Sequence, residues 1–233
     1  FEESQKQTLL ENKIHEAVKI EPNLMQVEAL KGLAEMRAQG ENKALIISAT
    51  GTGKTIMSAL DVRAFKPKRF LFVVHSETIL NDALAAYRKV LADENEADFA
   101  KLTGAEKNLD AKYLFATVQT MSKSDIYQQF DPATFDYIVF DEAHRSAAQS
   151  YQNIFHYFQP KFMLGMTATP ERSDDLSVFA QFNHNVAYEI RLQKALESDI
   201  LCPFHYFGVS DYIQEGQVVD DNTQDLKFLA SDD

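Results

Sequence analysis

The sequence predicts an α/β fold, with a mostly parallel β-sheet and helices on both faces. Short apolar segments alternate with longer segments that suit helices, and this order is typical of strand–helix–strand units. The predicted strands are apolar almost throughout, as expected for parallel strands buried on both faces. A glycine-rich segment follows one predicted strand and opens a helix, which is typical of a phosphate-binding loop.

The elements follow in chain order from these patterns. Residues 1–20 are predicted to form a helical lead-in, with the helix over 5–19, and a second helix is predicted over 23–38, ended by Gly40. The remaining predicted elements are strand 44–48, helix 54–64, strand 70–74, helix 78–91, strands 113–118 and 137–140, helix 151–158, strand 162–166, an edge strand over 186–190 and a strand over 203–207. An acidic stretch over 93–96 is predicted to be a solvated loop.

Length and composition indicate one large domain. The chain has 233 residues with 45% hydrophobic content, enough for one α/β core, which we place at 21–210 with an acidic linker at 211–233. It begins with Phe1 rather than methionine, so we expect it to be part of a longer protein. The single cysteine, Cys202, suits a reducing cytoplasm, and neither a membrane span nor a signal peptide is expected.

Residues 48–55 read Ser-Ala-Thr-Gly-Thr-Gly-Lys-Thr and follow an apolar run. Backbone N–H groups in such a turn, together with the N-terminus of the following helix, bind phosphate oxygens. Lys54 is expected to reach the β and γ phosphates and the Thr55 hydroxyl to ligate Mg²⁺. The strict pattern has glycine where this chain has Ser48. The simpler alternative is a flexible turn that binds no ligand. The two interpretations are distinguished by whether the rest of a nucleotide site is present in the sequence.

Two acids, Asp141 and Glu142, follow the predicted strand 137–140. In open α/β sheets, ligands bind outside the carboxyl ends of the strands. Asp141 is expected to hold Mg²⁺ through its water shell, and Glu142 to orient and deprotonate an attacking water. Two acids alone are commonly just a charged turn, but a phosphate loop upstream favours the catalytic interpretation.

A third strand, 162–166, leads into Thr167-Ala-Thr169-Pro. The three segments together resemble motifs I, II and III of the first RecA-like domain of a superfamily 2 helicase of the DEAH-box type, and the resemblance spans about residues 20–207. It implies ATP and Mg²⁺ as cofactors and Lys54, Asp141 and Glu142 as catalytic residues. It also implies that His144 couples the nucleotide state to the hydroxyls of Thr167 and Thr169.

The family also has an adenine-sensing glutamine upstream of motif I, and Gln26 resembles it. A glutamine amide pairs with a base through a donor and an acceptor at once, although alone Gln26 is merely a polar residue on an amphipathic helix. The residues expected to bind the nucleotide are Gln26, Thr50, Gly51, Thr52, Gly53, Lys54 and Thr55.

Further strand ends resemble the motifs that contact the nucleic-acid backbone. The residues concerned are His75, Ser76, Thr103, Gly104, Thr117 and Gln119. The net charge of −12 is opposite to a basic nucleic-acid footprint, so non-specific duplex binding should be weak. Backbone amides and hydroxyls, which carry no net charge, can still bind a nucleic-acid strand. We expect DNA rather than RNA as the partner, and no membrane.

Motors of this family close two RecA-like domains around ATP, and the second domain supplies arginines worth about three to five orders of magnitude in rate. No such arginine motif follows Arg172, so a second domain in cis is expected outside this chain, and the isolated chain should turn over very slowly. The residues after motifs II and III resemble the branch that includes restriction-enzyme motors. A phosphate-loop enzyme of other chemistry and a nucleotide-dependent switch remain as alternatives.

Overall fold

A computed structural model describes residues 20–104, 108–145, 148–170, 178–191 and 195, and the backbone of two short strands near the C-terminus. The chain divides into two compact units, Phe1–Leu201 and Cys202–Asp233. In the second unit, Ile213–Gln214 pairs antiparallel with Gln217–Val218, within the segment predicted to be a linker. The predicted helix 5–19 and strand 203–207 lie outside the described residues.

A seven-stranded sheet forms the centre of the first unit. Its strands are β1 (Lys43–Ser48), β2 (Phe70–Val74), β3 (Phe99–Leu102), β4 (Tyr113–Thr117), β5 (Tyr137–Phe140), β6 (Phe162–Thr167) and β7 (Val186–Ile190). Their order across the sheet is β3-β4-β2-β5-β6-β1-β7, and every neighbouring pair is parallel. The predicted fold class is therefore confirmed, and so is the edge position of residues 186–190.

Helices cover both faces of the sheet. They are α1 (Leu24–Ala38), α2 (Lys54–Phe65), α3 (Glu77–Val90), α4 (Val118–Met121), α5 (Ser124–Tyr127), α6 (Gln149–Tyr157) and α7 (Val178–Gln181), with 3₁₀ turns at Glu96–Asp98 and Ala143–Arg145. Alternate residues of β2 enter separate cores: Phe70 and Phe72 pack with α1, α2 and α3, whereas Leu71 and Val73 pack with α4 to α7. This alternation follows from the two-residue period of a strand.

At the β3 side of the sheet, the structure differs from the sequence analysis in two respects. β3 was not predicted, because it is only four residues long and Lys101 interrupts its apolar pattern. The acidic stretch 93–96 is exposed as predicted except for the half-buried Glu94, which accepts hydrogen bonds from Lys112 Nζ at 2.7 Å and from Tyr113 Oη at 2.9 Å. These contacts fix the segment that leads into β3.

A small difference occurs where β4 ends. The strand was predicted to reach Val118, but it ends at Thr117, and Val118 begins the short helix α4. Val118 is buried in the core beside Met121. The apolar side chain of Val118 therefore packs as part of helix α4 and does not continue the strand. A pattern of apolar residues alone does not distinguish the end of a strand from the start of a buried helix.

A buried ion pair fixes α1 and α2 at the edge of the sheet where β5 begins. Arg37 donates to both carboxylate oxygens of Asp61, at 2.7 and 2.8 Å, and Tyr137 Oη donates to the same carboxylate at 2.6 Å. Two donors from the guanidinium and one from the phenol satisfy this buried charge, as a buried ion pair requires. The network therefore holds both helices against the sheet at the edge where β5 begins.

Candidate nucleotide site

The carboxyl ends of β5, β6 and β1 lie side by side. In the register of the sheet, Phe140 of β5 pairs with Gly165 of β6, and Ile47 of β1 pairs with Thr167. Because the strands are parallel, the phosphate loop, the acids and the hydroxyl segment all leave the sheet at the same edge. The predicted convergence of the three motifs is found in the structure.

The phosphate loop connects β1 to α2. Gly51 and Gly53 have φ angles of 84° and 83°, in the left-handed region that glycine adopts without steric cost. Lys54 Nζ donates to the carbonyl oxygens of Ser48 at 2.8 Å and Ala49 at 3.0 Å. Burial lowers the pKa of Lys54, while the charges of Asp141 and Glu142 oppose this. The ammonium group is thus held inside the loop, facing the acids.

Ser48, which replaces the expected glycine, stabilises the loop. Thr52 Oγ1 donates to the Ala49 carbonyl at 2.7 Å and lies 2.6 Å from Ser48 Oγ. Because the hydroxyl hydrogen of Thr52 is used on Ala49, Ser48 is the donor to Thr52. Both side chains are buried, so the pair satisfies two hydroxyls that would otherwise be costly to bury. Serine at this position therefore fits the loop.

Thr55 lies in the first turn of α2, half-buried, whereas Thr50 and Gly51 are exposed at the tip of the loop. The carbonyl oxygen of Thr55 accepts from Ser58 Oγ at 2.9 Å. Ser58 in turn accepts from the buried Tyr87 of α3 at 2.9 Å. This chain of hydrogen bonds joins α3 to the turn that carries Thr55, and the sequence patterns did not predict it.

The acid segment, residues 141–145, begins with Asp141, which is 7% exposed. Burial, followed by the charge of Glu142, raises the pKa of Asp141 from its ordinary value of 3.8 to about 6, although the Glu142 N–H and the Lys54 ammonium oppose this. The Glu142 N–H donates to Asp141 Oδ1 at 3.0 Å. Glu142 itself has a φ of 52°, and such left-handed non-glycine residues cluster at functional sites.

His144 connects the acid segment to the end of β6. Its Nδ1 lies 3.1 Å from Thr167 Oγ1 and 3.1 Å from Glu142 Oε2. Thr167 is fully buried and accepts a further bond from the Thr169 N–H at 3.2 Å. The residues of the predicted coupling set therefore lie together, with Thr169 contributing its backbone N–H to Thr167.

Gln26 joins the start of α1 to the phosphate loop. Its Oε1 accepts from the Asn23 N–H at 3.0 Å, and the Gln26 N–H donates to Asn23 Oδ1 at 2.9 Å. Its Nε2 donates to the Gly53 carbonyl at 3.3 Å. The first two bonds form a capping box, which sequence reasoning missed although the Asn-x-x-Gln spacing signals it. Gln26 therefore has a structural role beside any contact with a base.

The residues predicted to contact nucleic acid follow β2, β3 and β4, which are neighbours at one side of the sheet. Their exposure differs. Gly104 and Gln119 are exposed, and His75 and Ser76 are half-buried, whereas Thr103 and Thr117 are 1% and 8% exposed. Thr117 Oγ1 also donates to Thr120 Oγ1 at 3.1 Å. Gly104 and Gln119 are thus the most accessible members of this set, and His75 and Ser76 are partly accessible.

The donor types at this edge suit a magnesium-bound nucleotide. An ammonium, loop N–H groups, one hydroxyl and one carboxylate suit phosphate oxygens and a hard cation. No cluster of three or more His, Cys, Asp or Glu side chains that would hold a metal by themselves occurs in the described part of the chain. Nor does any described helix have the length and apolarity needed to cross a membrane.

Fold and site together define a RecA-like phosphate-loop domain. Residues 19–172 match the family described as type III restriction enzyme, res subunit, and the chain belongs to this family. It is 28% identical over 204 residues to the type I restriction enzyme EcoAI endonuclease subunit of Escherichia coli, covering 78% of this chain and 23% of that protein.

The chain is also similar to a further relative and, in fold, to a solved structure. The DNA 3'-5' translocase XPB2 of Sulfurisphaera tokodaii is 28% identical over 156 residues, which are 67% of this chain and 32% of that protein. The type ISP restriction-modification enzyme LlaGI, solved with a DNA substrate mimic, superposes with a TM-score of 0.59 at 20% identity, covering 78% of this chain and 21% of that one. The chain spans at most about a third of the length of these relatives.

Proposed function

We propose that this chain is the ATP-binding first motor domain of a DEAH-type DNA helicase or translocase, which couples ATP hydrolysis to movement along nucleic acid. The observation that carries the proposal is the side-by-side placement of the ends of β1, β6 and β5. It brings Lys54, Thr167 and Asp141 to one edge of the sheet. The membership of the res subunit family supports the same function.

Each side chain has a role that suits its position. Lys54 and the N–H groups of the loop would hold the phosphates, and Thr55 with Asp141 would hold Mg²⁺, directly or through its waters. The bound cation would neutralise charge on the phosphates. Glu142 would orient the attacking water and accept its proton. His144 would report the nucleotide state to Thr167 through their 3.1 Å contact.

DNA is the partner that the relatives favour. XPB2 is a DNA 3'-5' translocase, and LlaGI was solved in complex with a DNA substrate mimic. With a net charge of −12, contact in this domain would rely on neutral groups such as those of Ser76, Gly104 and Gln119. A second RecA-like domain in cis would supply the arginines, so that the isolated chain hydrolyses ATP very slowly. A cytoplasmic site of action is consistent with the single cysteine.

A second candidate function is the motor of a restriction endonuclease subunit. The similarity to the EcoAI subunit favours it. In this candidate function the protein would move along duplex DNA without separating the strands, whereas a helicase would separate them. A nucleotide-dependent switch without movement is the third candidate, and it would need neither activity.

The test is ATP hydrolysis by the full-length protein, with and without single-stranded DNA, duplex DNA or RNA. We expect DNA to stimulate turnover, and Lys54→Ala and Glu142→Gln each to lower it by about two orders of magnitude or more. His156→Ala, at an exposed position of α6, is the matched control and should behave as wild type. Absence of stimulation by any nucleic acid would contradict a motor function.

Two further assays separate the candidates. Displacement of a labelled strand from a partial duplex reports a helicase, and displacement of a triplex-forming strand from intact duplex reports translocation. Triplex displacement without duplex unwinding would favour the restriction-type motor. Neither activity, together with intact ATP binding, would favour the switch.

A further inference from the structure

His75 lies between the predicted nucleic-acid contacts and the acid segment. It follows β2 directly, and β2 pairs with β5 through Val73 and Phe140. The Asp141 N–H donates to the Val73 carbonyl at 3.0 Å, which continues this pairing by one step. His75 and Glu142 are each two residues past the paired positions, so they leave the sheet as neighbours.

The backbone of His75 is bonded to an exposed residue of the predicted nucleic-acid surface. Gln119 Nε2 donates to the His75 carbonyl oxygen at 2.9 Å. Gln119 belongs to α4, which follows β4, and β4 is the neighbour of β2 on the side away from β5. A ligand that moves Gln119 would therefore move the backbone of His75.

The imidazole of His75 has an unused nitrogen. Its Nδ1 is buried and has no hydrogen-bond partner among the residues that the structure describes. Burial lowers the pKa of His75, Arg145 lowers it further, and Glu142 opposes both. The ring is thus close enough to Arg145 and Glu142 to be influenced by their charges, and a neutral imidazole has one donor and one acceptor to offer.

A second buried polar atom adjoins the same segment from the other side. Tyr151 of α6 packs against Phe140 with ring centroids 6.2 Å apart, and its Oη is buried without a partner in the described part of the chain. Buried polar atoms are almost always paired. Two unpaired atoms beside one segment whose Glu142 has a left-handed backbone would be paired in a second hydrogen-bonded arrangement of that segment.

We propose that His75 is a positioning residue that links nucleic acid bound at Ser76 and Gln119 to the orientation of Glu142. When nucleic acid displaces Gln119, the hydrogen bond to the His75 carbonyl oxygen moves the backbone of His75. His75 Nδ1 then bonds to the acid segment in the second arrangement. This inference rests on the proposed function. It differs from the sequence-based expectation, in which His75 itself contacts the nucleic-acid backbone.

The test measures ATP hydrolysis by the full-length protein as a function of DNA concentration. Each titration yields a maximal stimulated rate and a DNA concentration for half-maximal stimulation. We expect His75→Ala to lower the maximal rate about tenfold, a typical coupling between sites, and to leave the half-maximal DNA concentration within about twofold. His156→Ala, at an exposed position of α6, should change neither value.

Two further variants locate the atom that matters. In His75→Asn the amide occupies the position of Nδ1, so we expect most of the stimulated rate to return. In His75→Gln the amide reaches the position of Nε2 instead, so the rate should stay low. These two variants keep a polar side chain, and their comparison tests the inference even where the alanine variant does not fold.

Opposite results would overturn the inference. A raised half-maximal DNA concentration with an unchanged maximal rate would make His75 a direct nucleic-acid contact. Equal rates for His75→Asn and His75→Gln would show that Nδ1 is not the linking atom. If DNA stimulates ATP hydrolysis by the wild type and by the His75 variants equally, this inference alone is wrong. If no nucleic acid stimulates the wild type, the proposed function is wrong as well.

Discussion

His144 Nδ1 lies 3.1 Å from Thr167 Oγ1, joining the segment after β5 to the end of β6. The same nitrogen lies 3.1 Å from Glu142 Oε2. One imidazole is thus shared between the proposed general base and a fully buried hydroxyl on the neighbouring strand. A change at Glu142 therefore reaches the segment after β6 through a single side chain.

Removal of the Thr167 hydroxyl tests whether its contact with His144 matters for activity. Thr167→Val keeps the shape of the side chain but removes its bonds to His144 and to the Thr169 N–H. We expect the DNA-stimulated rate of the full-length protein to fall about tenfold, as for other couplings between sites. Thr167→Ser keeps the hydroxyl and is the control. Equal rates for the two variants would show that the hydroxyl does not carry the coupling.

Asp141 should make the ligand-free protein less stable at neutral pH. Its pKa rises from 3.8 to about 6 in the folded state, chiefly through burial and then through the charge of Glu142. Between these values the folded state binds more protons than the unfolded state, so stability falls as the pH rises through this window and stays low above it. The shift corresponds to about 3 kcal/mol.

Asp141→Asn is therefore expected to raise the free energy of unfolding at pH 7.5 by up to about 3 kcal/mol, and to change it little below pH 4. Denaturant unfolding at both pH values is the measurement. Asp136→Asn is a control for which the expected change in stability has the opposite sign. Burial alone would raise the pKa of Asp136, but its bonds to Lys161 and to the Lys68 N–H lower this pKa. That variant should be less stable than wild type at pH 7.5, and a stabilising effect there would contradict these signs.

The network of Arg37, Asp61 and Tyr137 should matter for stability rather than for chemistry. Asp61→Ala removes the partner of a largely buried guanidinium, and we expect a loss of about 3 kcal/mol in the free energy of unfolding. Glu35→Ala breaks the exposed pair with Lys31 and should cost less than about 0.5 kcal/mol. Chemical denaturation of both variants measures this, and similar losses would mean that burial of the pair is unimportant.

Gln26 has two separable roles. Asn23→Ala and Gln26→Ala both break the capping box, so each should lower the free energy of unfolding by about 1 kcal/mol. Only Gln26→Ala also removes the bond to the Gly53 carbonyl. We therefore expect Gln26→Ala alone to weaken ATP binding and to reduce the preference for ATP over GTP, measured by competition. Equal nucleotide affinities for the two variants would leave Gln26 with a capping role only.

The central strands could be predicted closely from the sequence because each is a short, fully apolar run. β2 and β5 have the predicted bounds, and the side-by-side placement of motifs I, II and III follows once the sheet is parallel. The edge strand β3 was missed, since a short strand with a lysine lacks this pattern. Secondary-structure patterns thus identified the site but not the border of the sheet.

Contacts between distant residues were beyond the sequence patterns. The bond from Gln119 to the His75 carbonyl joins residues 44 positions apart, and the bond from Tyr137 to Asp61 spans 76. Neither side chain belongs to a motif that demands such a partner. They depend on how helices dock on the sheet, which local periodicity does not determine. The role of Ser48 in the phosphate loop was missed for a related reason, because its partner Thr52 was expected to face the nucleotide.

Calorimetric titration of the purified protein with ATP, with and without Mg²⁺, tests the nucleotide site most directly. We expect Mg²⁺-dependent binding that Lys54→Ala weakens about tenfold or more, since a charged hydrogen bond to phosphate is lost. We expect Asp141→Asn to remove the dependence on Mg²⁺. ATP binding that is equally strong in wild type and in Lys54→Ala would contradict a phosphate site at the ends of β1, β6 and β5.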